Sequence, residues 1–230
     1  MKKPFSIEGI QTRTFSAPVE LRAAADGAQE SGRTVFGYAA KFNVRSQNLG
    51  SSDWQFFETI APGAFDDVLL DDVRALFNHE AELILARSKG GVGTLKIGID
   101  TTGLWYEFDA PETQVGNDLL VSLRRGDIDQ SSFSFMVDCA GQSFVESKIG
   151  DGPNIVERTI TKFSRLLDVS PVTYPAYEET EVDCRSLAEV VAKNLPKPDP
   201  EVRADGDGEK YAETSYRAAL LRMPYGSPNH

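Results

Sequence analysis

The chain has 230 residues, of which 40% are hydrophobic, and its formal net charge is −11 at pH 7. This length suffices for one domain with tails. The acidic balance argues against a general nucleic-acid binder, which normally presents a basic face, and no run approaches the roughly 18 apolar residues of a membrane span.

The first half of the chain is predicted to form strands joined by turns. Residues 12–23 alternate weakly between apolar and polar types, and residues 34–42 alternate clearly, as expected of a strand with one buried face. A Pro-Gly break precedes residues 64–70, which are amphipathic and are predicted to be a short helix. Apolar side chains alternate again over residues 73–79, which indicates a strand ending at the last of these. The following RSKGGVGT, residues 87–94, is predicted to be a flexible loop.

A hairpin and a helix follow. TLKIGID, residues 94–100, alternates strictly, and after the turn TTG the segment LWYEFDA, residues 104–110, is its expected partner strand. Residues 114–127, QVGNDLLVSLRRGD, carry leucines at helical spacing and two arginines in the last turn. Gly126 is suited to the C-cap, because glycine readily takes the left-handed conformation that ends helices.

The last third of the domain is predicted to be strands. DQSSFSFMVD, residues 129–138, alternates serine with phenylalanine, and residues 141–163 form a hairpin around IGDGPN. Residues 164–177 form a further strand. Pro171 and Pro175 lack backbone N–H donors, so this strand is predicted to lie at a sheet edge or to end at these prolines.

The composition changes near residue 187. The segment AKNLPKPDPEVRADGDGEK is rich in proline, glycine and charge, and few of its residues can pack. We expect residues 1–14 to be an N-terminal extension, residues 15–187 a single domain, and residues 188–230 a disordered polar tail. YAETSYRAALLRM in the tail is predicted to form a short amphipathic helix. The domain is predicted to be β-rich α+β, with two or three helices.

Cysteine and histidine, the residues of disulfides and zinc sites, are scarce in this chain. Cys139 and Cys184 are far apart and lack CxxC spacing, which indicates a reducing compartment without a disulfide framework. With His79 and His230 as the two histidines, a His/Cys zinc site is not expected. The acidic run DVLLDD lacks the spacing of a calcium loop, so we expect neither metal nor cofactor. The first residues contain no apolar h-region, so no secretory signal is expected.

The strand DQSSFSFMVD holds three serines, and one interpretation is that it carries a nucleophile. A serine hydroxyl needs a neighbouring base, usually histidine, and His79 is the sole histidine in the predicted domain. Strand alternation puts Ser132 and Ser134 on the face opposite the phenylalanines, and Ser131 on the phenylalanine face. The local pattern alone favours an ordinary half-exposed strand and a histidine without a role. It does not choose between Ser132 and Ser134.

A third group is needed to orient the histidine and stabilise its protonated form. Asp168 lies within the apolar strand RLLDVSPV, where burying a carboxylate is costly without a partner. It is a better candidate than the acids at strand or turn ends, which are Asp127, Asp129 and Asp138. The alternative interpretation of Asp168 is an acid on the solvent face of an edge strand. Cys139 is an alternative nucleophile, although a lone cysteine there is more often a packing residue.

Six segments in order resemble the prohead maturation proteases of tailed bacteriophages. They are GYAAKFN, FFETIAPGAF, RALFNHE, GTLKIGIDTTGLWYEFDAPET, RRGDIDQSSFSFMV and RLLDVSPVTYPAY, and the resemblance covers about residues 14–180. That family consists of serine peptidases related in fold to the herpesvirus assembly proteases. The resemblance therefore implies a closed β-barrel flanked by a few helices, and it makes residues 15–187 a prohead protease domain.

The family motifs assign the site residues by register. The histidine of the F-N-H motif corresponds to His79, and the serine of the M-S-F-G-F motif, which follows G-D-I, corresponds to Ser132. Ser131 stands where methionine is usual and Ser134 where glycine is usual. The second of these departures adds bulk two residues from the nucleophile, on the same face of the strand. The acid of the family's L-L-E-V-S-P-V is replaced by Asp168. The herpesvirus relatives use a second histidine, which this domain lacks, so the resemblance implies an acid or a dyad.

The resemblance implies a serine endopeptidase of capsid maturation. Such an enzyme acts inside the assembling prohead, in the host bacterial cytoplasm. It cuts the scaffold protein or the scaffold-like segment of the major capsid protein, and then degrades itself or escapes. Backbone N–H groups, or a water held by Arg158 or Arg165, are the expected oxyanion donors. The herpesvirus relatives dimerise, so a homodimer is a further expectation, whereas no nucleic-acid or membrane partner is expected.

Two non-enzymatic interpretations stay open. A capsid-assembly or scaffold protein could keep the same barrel after losing activity, although a decayed site has no reason to retain both His79 and Ser132. A β-barrel binding module is the more distant alternative. Cleavage of capsid protein by the unaltered chain, and its loss when Ser132 or His79 is replaced, would separate these interpretations from the protease.

Overall fold

The structure is a computed structural model, which describes residues 9–15, 19–22, 32–50, 54–148 and 152–173. All of these belong to the unit Met1–Asn194. The described strands are β1 (Gln11–Phe15), β2 (Val19–Arg22), β3 (Thr34–Lys41), β4 (Trp54–Ile60), β5 (Val73–Phe77), β6 (Glu80–Lys89), β7 (Val92–Gly93), β8 (Leu95–Ile99), β9 (Gly103–Asp109), β10 (Gln130–Met136), β11 (Gln142–Lys148), β12 (Asn154–Ile160) and β13 (Arg165–Val172). The described helices are α1 (Gln114–Arg125) and a single 3-10 turn (Cys139–Gly141).

The described strands form three sheets. A six-stranded sheet has the order β1-β10-β13-β5-β6-β7, a four-stranded sheet β2-β3-β9-β8, and a three-stranded sheet β11-β12-β4. Neighbouring strands are antiparallel, except that β13 is parallel to β5 and β12 is parallel to β4. Within the described part of the chain, none of these sheets closes on itself. The strand-rich fold is confirmed, and the closed barrel stays a prediction.

Of the two alternatives predicted for strand β13, an end beside Pro171 is confirmed, because the strand stops at Val172. The edge position is wrong, because β13 lies in the interior of the six-stranded sheet, between β10 and β5. That prediction rested on Pro171, which lacks an N–H donor. The parallel pairing with β5 covers Asp168 and Val169. Pro171 lies beyond this pairing, so no hydrogen bond to β5 requires a backbone N–H from it. The interior position also leaves Asp168 only 7% exposed, which contradicts its interpretation as a solvent-face acid. Pro175 lies outside the described residues.

One predicted helix is confirmed and the other is replaced by turns. Helix α1 begins after Thr113, whose hydroxyl accepts a hydrogen bond from the Gly116 N–H, and it ends at Gly126, which has φ 76°. Residues 64–70 instead form successive turns, whose hydrogen bonds join residues three apart. So short a segment closes too few helical bonds to offset the cost of helix nucleation. Among the described residues, no helix is long and apolar enough to cross a membrane.

Strand β6 occupies part of the predicted flexible loop. It pairs with β5 along an irregular register that shifts twice. The buried side chains of β6 therefore do not alternate regularly with exposed ones, and apolar periodicity failed to predict this strand. β7 then pairs back onto β6 after two glycines with positive φ. The β8–β9 and β11–β12 hairpins are confirmed.

The predicted first strand, residues 12–23, is two strands that belong to different sheets. β1 pairs with β10, and β2 pairs with β3. β1 begins at Gln11, which lies inside the segment predicted to be an N-terminal extension. The division of the chain into extension, domain and tail stays a prediction. The tail, with the short helix predicted in it, lies outside the described residues.

The main core lies against the phenylalanine face of β10. Phe133 and Phe135 are fully buried, and their ring centroids are 4.8 Å apart. Phe65 and Phe163 complete the aromatic cluster, with centroids 4.3 Å apart. Full burial of one such side chain stabilises the fold by roughly 1.5–3 kcal/mol. Because this face of β10 is committed to the core, the opposite face is the one that presents its side chains to the loops around the sheet.

A buried ionic cluster ties β1 to the three-stranded sheet. Glu58 of β4 contacts Arg13 of β1 and Arg158 of β12, and Arg158 also donates to Gln11 Oε1 at 2.6 Å. Burial alone would raise the pKa of Glu58, but the two arginines outweigh burial and lower the pKa to about 2. Arg13 pairs with Phe133, so its side chain, and with it the cluster, lies on the core face of β10.

Replacing Glu58 by glutamine is expected to lower the free energy of unfolding at pH 7 by about 3–5 kcal/mol, because two buried arginines lose their counter-charge. The pKa of Glu58 in the folded protein, about 2, lies below the ordinary value of 4.5. The stabilisation is therefore complete above the ordinary value and is lost as the pH falls through about 2. Urea unfolding at about pH 7 and about pH 3 should show the difference between wild type and variant shrinking by about 2 kcal/mol.

The matched control for Glu58 is Glu157→Gln. Glu157 pairs with Arg45, and both side chains are about half exposed, so its replacement should change the unfolding free energy little at either pH. A difference between wild type and Glu58→Gln that stays constant or grows on acidification would contradict the lowered pKa of Glu58.

Candidate active site

Three predicted side chains meet in one hydrogen-bonded line. His79 Nε2 lies 2.6 Å from Ser132 Oγ, and His79 Nδ1 lies 2.6 Å from Asp168 Oδ1. Ser132 is on β10, Asp168 is on β13, and His79 lies in the turn between β5 and β6. The spacing suits proton transfer from the hydroxyl to the imidazole.

Strand order explains why these side chains meet. β13 lies between β10 and β5, so the acid it carries has the serine strand on one side and the histidine hairpin on the other. Ser132 is opposite Ser170 and Ser134 is opposite Asp168 in the β10–β13 register. Asp168 and Ser170 are two residues apart and share one face of β13. That face is the one on which His79 lies.

The faces of the three serines agree with strand alternation. The Ser131 and Tyr106 hydroxyl oxygens are 2.8 Å apart within the core, whereas the Ser132 and Ser134 hydroxyls both reach the imidazole of His79. The expectation of a half-exposed face is wrong, because Ser132 is 0% exposed and Ser134 is 5% exposed. The turn that carries His79 covers this face, which local periodicity could not indicate.

The surroundings of Nδ1 favour one tautomer of His79. Asp168 Oδ1 accepts a hydrogen bond from the Ser170 hydroxyl at 2.9 Å. The same oxygen is the nearest hydrogen-bond partner of His79 Nδ1. The Ser134 and Ser170 hydroxyl oxygens lie farther from Nδ1, at 3.2 and 3.3 Å. A carboxylate acceptor at 2.6 Å favours a proton on Nδ1, so Nε2 keeps its lone pair for the hydroxyl hydrogen of Ser132.

The hydroxyl hydrogen of Ser132 has two acceptors within reach. One is His79 Nε2, and the other is the backbone carbonyl of Arg13 on β1, at 3.0 Å. Ser132 also has no exposed surface, whereas 22% of the His79 side chain is exposed. A ligand can therefore contact Ser132 Oγ only after the groups around this side chain move.

The structure places two contributors that the sequence reasoning missed. Ser170 is buried and donates to Asp168, and strand alternation in DVS would have put its side chain beside that acid. Asn78 precedes His79 and holds the turn to the end of β13. No local signal in the sequence indicates that contact, because Asn78 and Thr173 are joined only by the fold.

The arginines predicted to serve the oxyanion do not lie at the site. Arg158 belongs to the ionic cluster on the core face of β10, opposite the face of Ser132. Arg165 pairs with Met136 at the far end of β10, four positions from Ser132 and so on the order of 13 Å away along the strand. Strand register thus separates both arginines from Ser132, so neither expectation is supported.

The alternative nucleophile is also separated from His79. Cys139 lies in the 3-10 turn beyond the far end of β10 from Ser132, and both ring nitrogens of His79 face other partners. Within the described residues, no group of three or more His, Cys, Asp or Glu side chains could hold a metal ion.

Comparison with known proteins gives a family match and a structural likeness. The family model described as caudovirus prohead serine protease matches residues 18–193, a range that includes His79, Ser132 and Asp168. No curated protein matches the chain. The solved structure of the bacteriophage T4 capsid assembly protease, gp21, is similar with a TM-score of 0.38 and 10% sequence identity. That alignment covers 72% of this chain and 98% of the T4 chain.

Proposed function

The chain belongs to the caudovirus prohead serine protease family, and from this premise we propose that it is a serine endopeptidase of phage capsid maturation, with Ser132 as nucleophile. The observation that carries the proposal is the hydrogen-bonded line from Asp168 through His79 to Ser132, with both heavy-atom distances at 2.6 Å. A nucleophile, a base in reach of it and a group that orients the base are what acyl transfer requires.

In the proposed mechanism, Ser132 Oγ attacks the scissile carbonyl carbon as His79 Nε2 takes the hydroxyl proton. The imidazolium formed is stabilised by the Asp168 carboxylate. The proton then passes from Nε2 to the leaving amine, and an acyl-enzyme remains on Ser132. Water attacks that ester as Nε2 takes its proton. The bond from the acyl carbon to Ser132 Oγ then breaks, Nε2 returns the proton to Oγ, and the acid product leaves.

The orienting role of Asp168 is supported by its hydrogen bonds. Its Oδ1 lies within hydrogen-bond distance of both the imidazole Nδ1 and the Ser170 hydroxyl. These two contacts fix the position of the carboxylate beside the imidazole. The proposal is therefore a Ser-His-Asp triad and not a Ser-His dyad.

The proposed substrates are the scaffold protein, or the scaffold-like segment of the major capsid protein, and then the protease itself. The proposed place of action is the assembling prohead in the host bacterial cytoplasm, and a homodimer is part of the proposal. The family membership supports the substrates and the place of action, whereas the dimer rests on the resemblance to the herpesvirus proteases. Sedimentation of the purified chain tests the dimer separately.

Co-expression of the chain with the capsid and scaffold proteins of its phage tests the function. Wild type is expected to yield defined new termini in one of those proteins, read by mass spectrometry. Ser132→Ala and His79→Ala should leave all chains intact, and proheads formed with either variant should retain the uncut protease.

One outcome would favour the catalytically inactive assembly protein instead. Proheads that require the chain but contain no cut protein, with wild type and Ser132→Ala giving the same particles, would show that the fold serves assembly without hydrolysis. Cleavage that survives Ser132→Ala and fails in Cys139→Ala would transfer the nucleophile's role to the cysteine.

A further inference from the structure

The turn that carries His79 has an uncommon backbone. Phe77 pairs with Glu80, so Asn78 and His79 alone join β5 to β6, and their φ angles are 54° and 61°. Two-residue hairpin loops with two positive φ angles are typically Asn-Gly, because a Cβ is disfavoured at the second position. Histidine at that position is strained, and such strain persists only where surrounding contacts hold it.

Asn78 supplies those contacts. Its backbone N–H donates to the Pro171 carbonyl at 3.1 Å. Its side-chain Oδ1 accepts from the Thr173 N–H at 2.8 Å, and its Nδ2 donates to the Thr173 hydroxyl at 3.2 Å. Three hydrogen bonds thus fasten the turn to the end of β13, which is the strand that carries Asp168.

We propose that Asn78 is a positioning residue that sets the distance of the His79 imidazole from Asp168 and Ser132. The inference rests on the proposed function, because it assigns a role within the same triad. Asn78 follows β5, whose pairing with β13 covers only Asp168 and Val169. The contacts of Asn78 with Pro171 and Thr173 extend that attachment to the turn itself. Without them, the imidazole would be free to move relative to β13 by the small distances that matter for proton transfer.

The chain offers a matched control for the conformational preference of asparagine. Asn43 also has a positive φ, 56°, and it follows β3, in the four-stranded sheet. Glycine takes this conformation readily, so Asn78→Gly and Asn43→Gly both preserve the backbone. They differ in that Asn78→Gly removes the two side-chain hydrogen bonds to Thr173.

The first test uses a fluorophosphonate probe, which forms a bond from phosphorus to Ser132 Oγ and releases fluoride. Asn78→Gly in the full chain is expected to be labelled about 10- to 100-fold more slowly than wild type, whereas Asn43→Gly is labelled at the wild-type rate. The downfield proton resonance of the His79 Nδ1–H bond to Asp168 should be weakened or lost in Asn78→Gly and kept in Asn43→Gly.

The second test changes the other partner of the contact, Thr173, which follows β13. It keeps the inference testable if Asn78→Gly does not fold. Thr173 is exposed, so its replacement is tolerated. Thr173→Val removes the hydroxyl that accepts from Asn78, and it is expected to slow labelling by about threefold to tenfold. Thr173→Ser keeps the hydroxyl and should restore the wild-type rate.

The outcomes separate this inference from the proposed function. Wild type that is folded but not labelled at Ser132 would end the proposed function itself. Labelling of wild type and Asn78→Gly at equal rates, or slowing without any change in the Nδ1–H resonance, would overturn the positioning role alone. Equal rates in Thr173→Val and Thr173→Ser would overturn it as well.

Discussion

Replacing Ser132 by alanine is expected to lower peptide hydrolysis on the order of 10⁶-fold, and His79→Ala should reach the same residual rate. The two groups act as one unit, since the 2.6 Å contact between Ser132 Oγ and His79 Nε2 carries the proton transfer. The double variant should therefore be no slower than either single variant. Initial rates on purified capsid or scaffold substrate measure all three.

The neighbouring serine provides the control for Ser132. Ser134 contacts the same imidazole, but its Oγ lies 3.2 Å from Nδ1. In the proposed mechanism Nδ1 stays hydrogen-bonded to Asp168 and takes no proton from a serine. Ser134→Ala should keep activity within about threefold of wild type, because one weak hydrogen bond is lost. Hydrolysis that persists in Ser132→Ala and fails in Ser134→Ala would reverse the assignment of the nucleophile.

Replacing Asp168 by asparagine is expected to lower kcat about 10⁴-fold, the scale of the equivalent change in other Ser-His-Asp enzymes. An amide in place of the carboxylate presents its NH₂ group to Nδ1, which favours the tautomer with a proton on Nε2. That tautomer cannot accept the proton of Ser132. Rates on the same capsid substrate, with thermal unfolding as a check of folding, measure the effect.

Asp127→Asn is the matched control for Asp168→Asn. Asp127 is an exposed acid paired with Arg125, and its replacement should leave both rate and stability nearly unchanged. If Asp168→Asn keeps near-wild-type activity in a folded protein, Asp168 is structural and the site is a Ser-His dyad.

Much of the secondary structure could be predicted from the sequence, because it depends on short-range periodicity. Helix α1 has leucines at helical spacing, a side-chain cap at Thr113 and a glycine in the left-handed conformation after it. The β8–β9 hairpin alternates strictly. Prediction failed where tertiary packing replaced local preference. The turns of residues 64–70 bury an amphipathic stretch without forming a helix, and β6 follows an irregular register.

The candidate site was predictable as a set of residues but not as a place in the fold. Motif register selected His79, Ser132 and Asp168, and the structure brings these three together. No motif assigned the oxyanion donors, and the two arginines considered for that role, Arg158 and Arg165, lie elsewhere in the structure. Motif register gave no reason to consider Ser170 or Asn78, whose partners are far away in the sequence.

The sequence by itself determined which face of β10 each serine occupies, because alternation along a strand has a period of two whatever its neighbours are. The tertiary structure decided which strands lie beside β10 and in what register. Those pairings join residues far apart in the chain, and local periodicity does not encode them. Placing β13 between β10 and β5 is what brings an acid from one strand and a histidine from a strained turn to a buried serine.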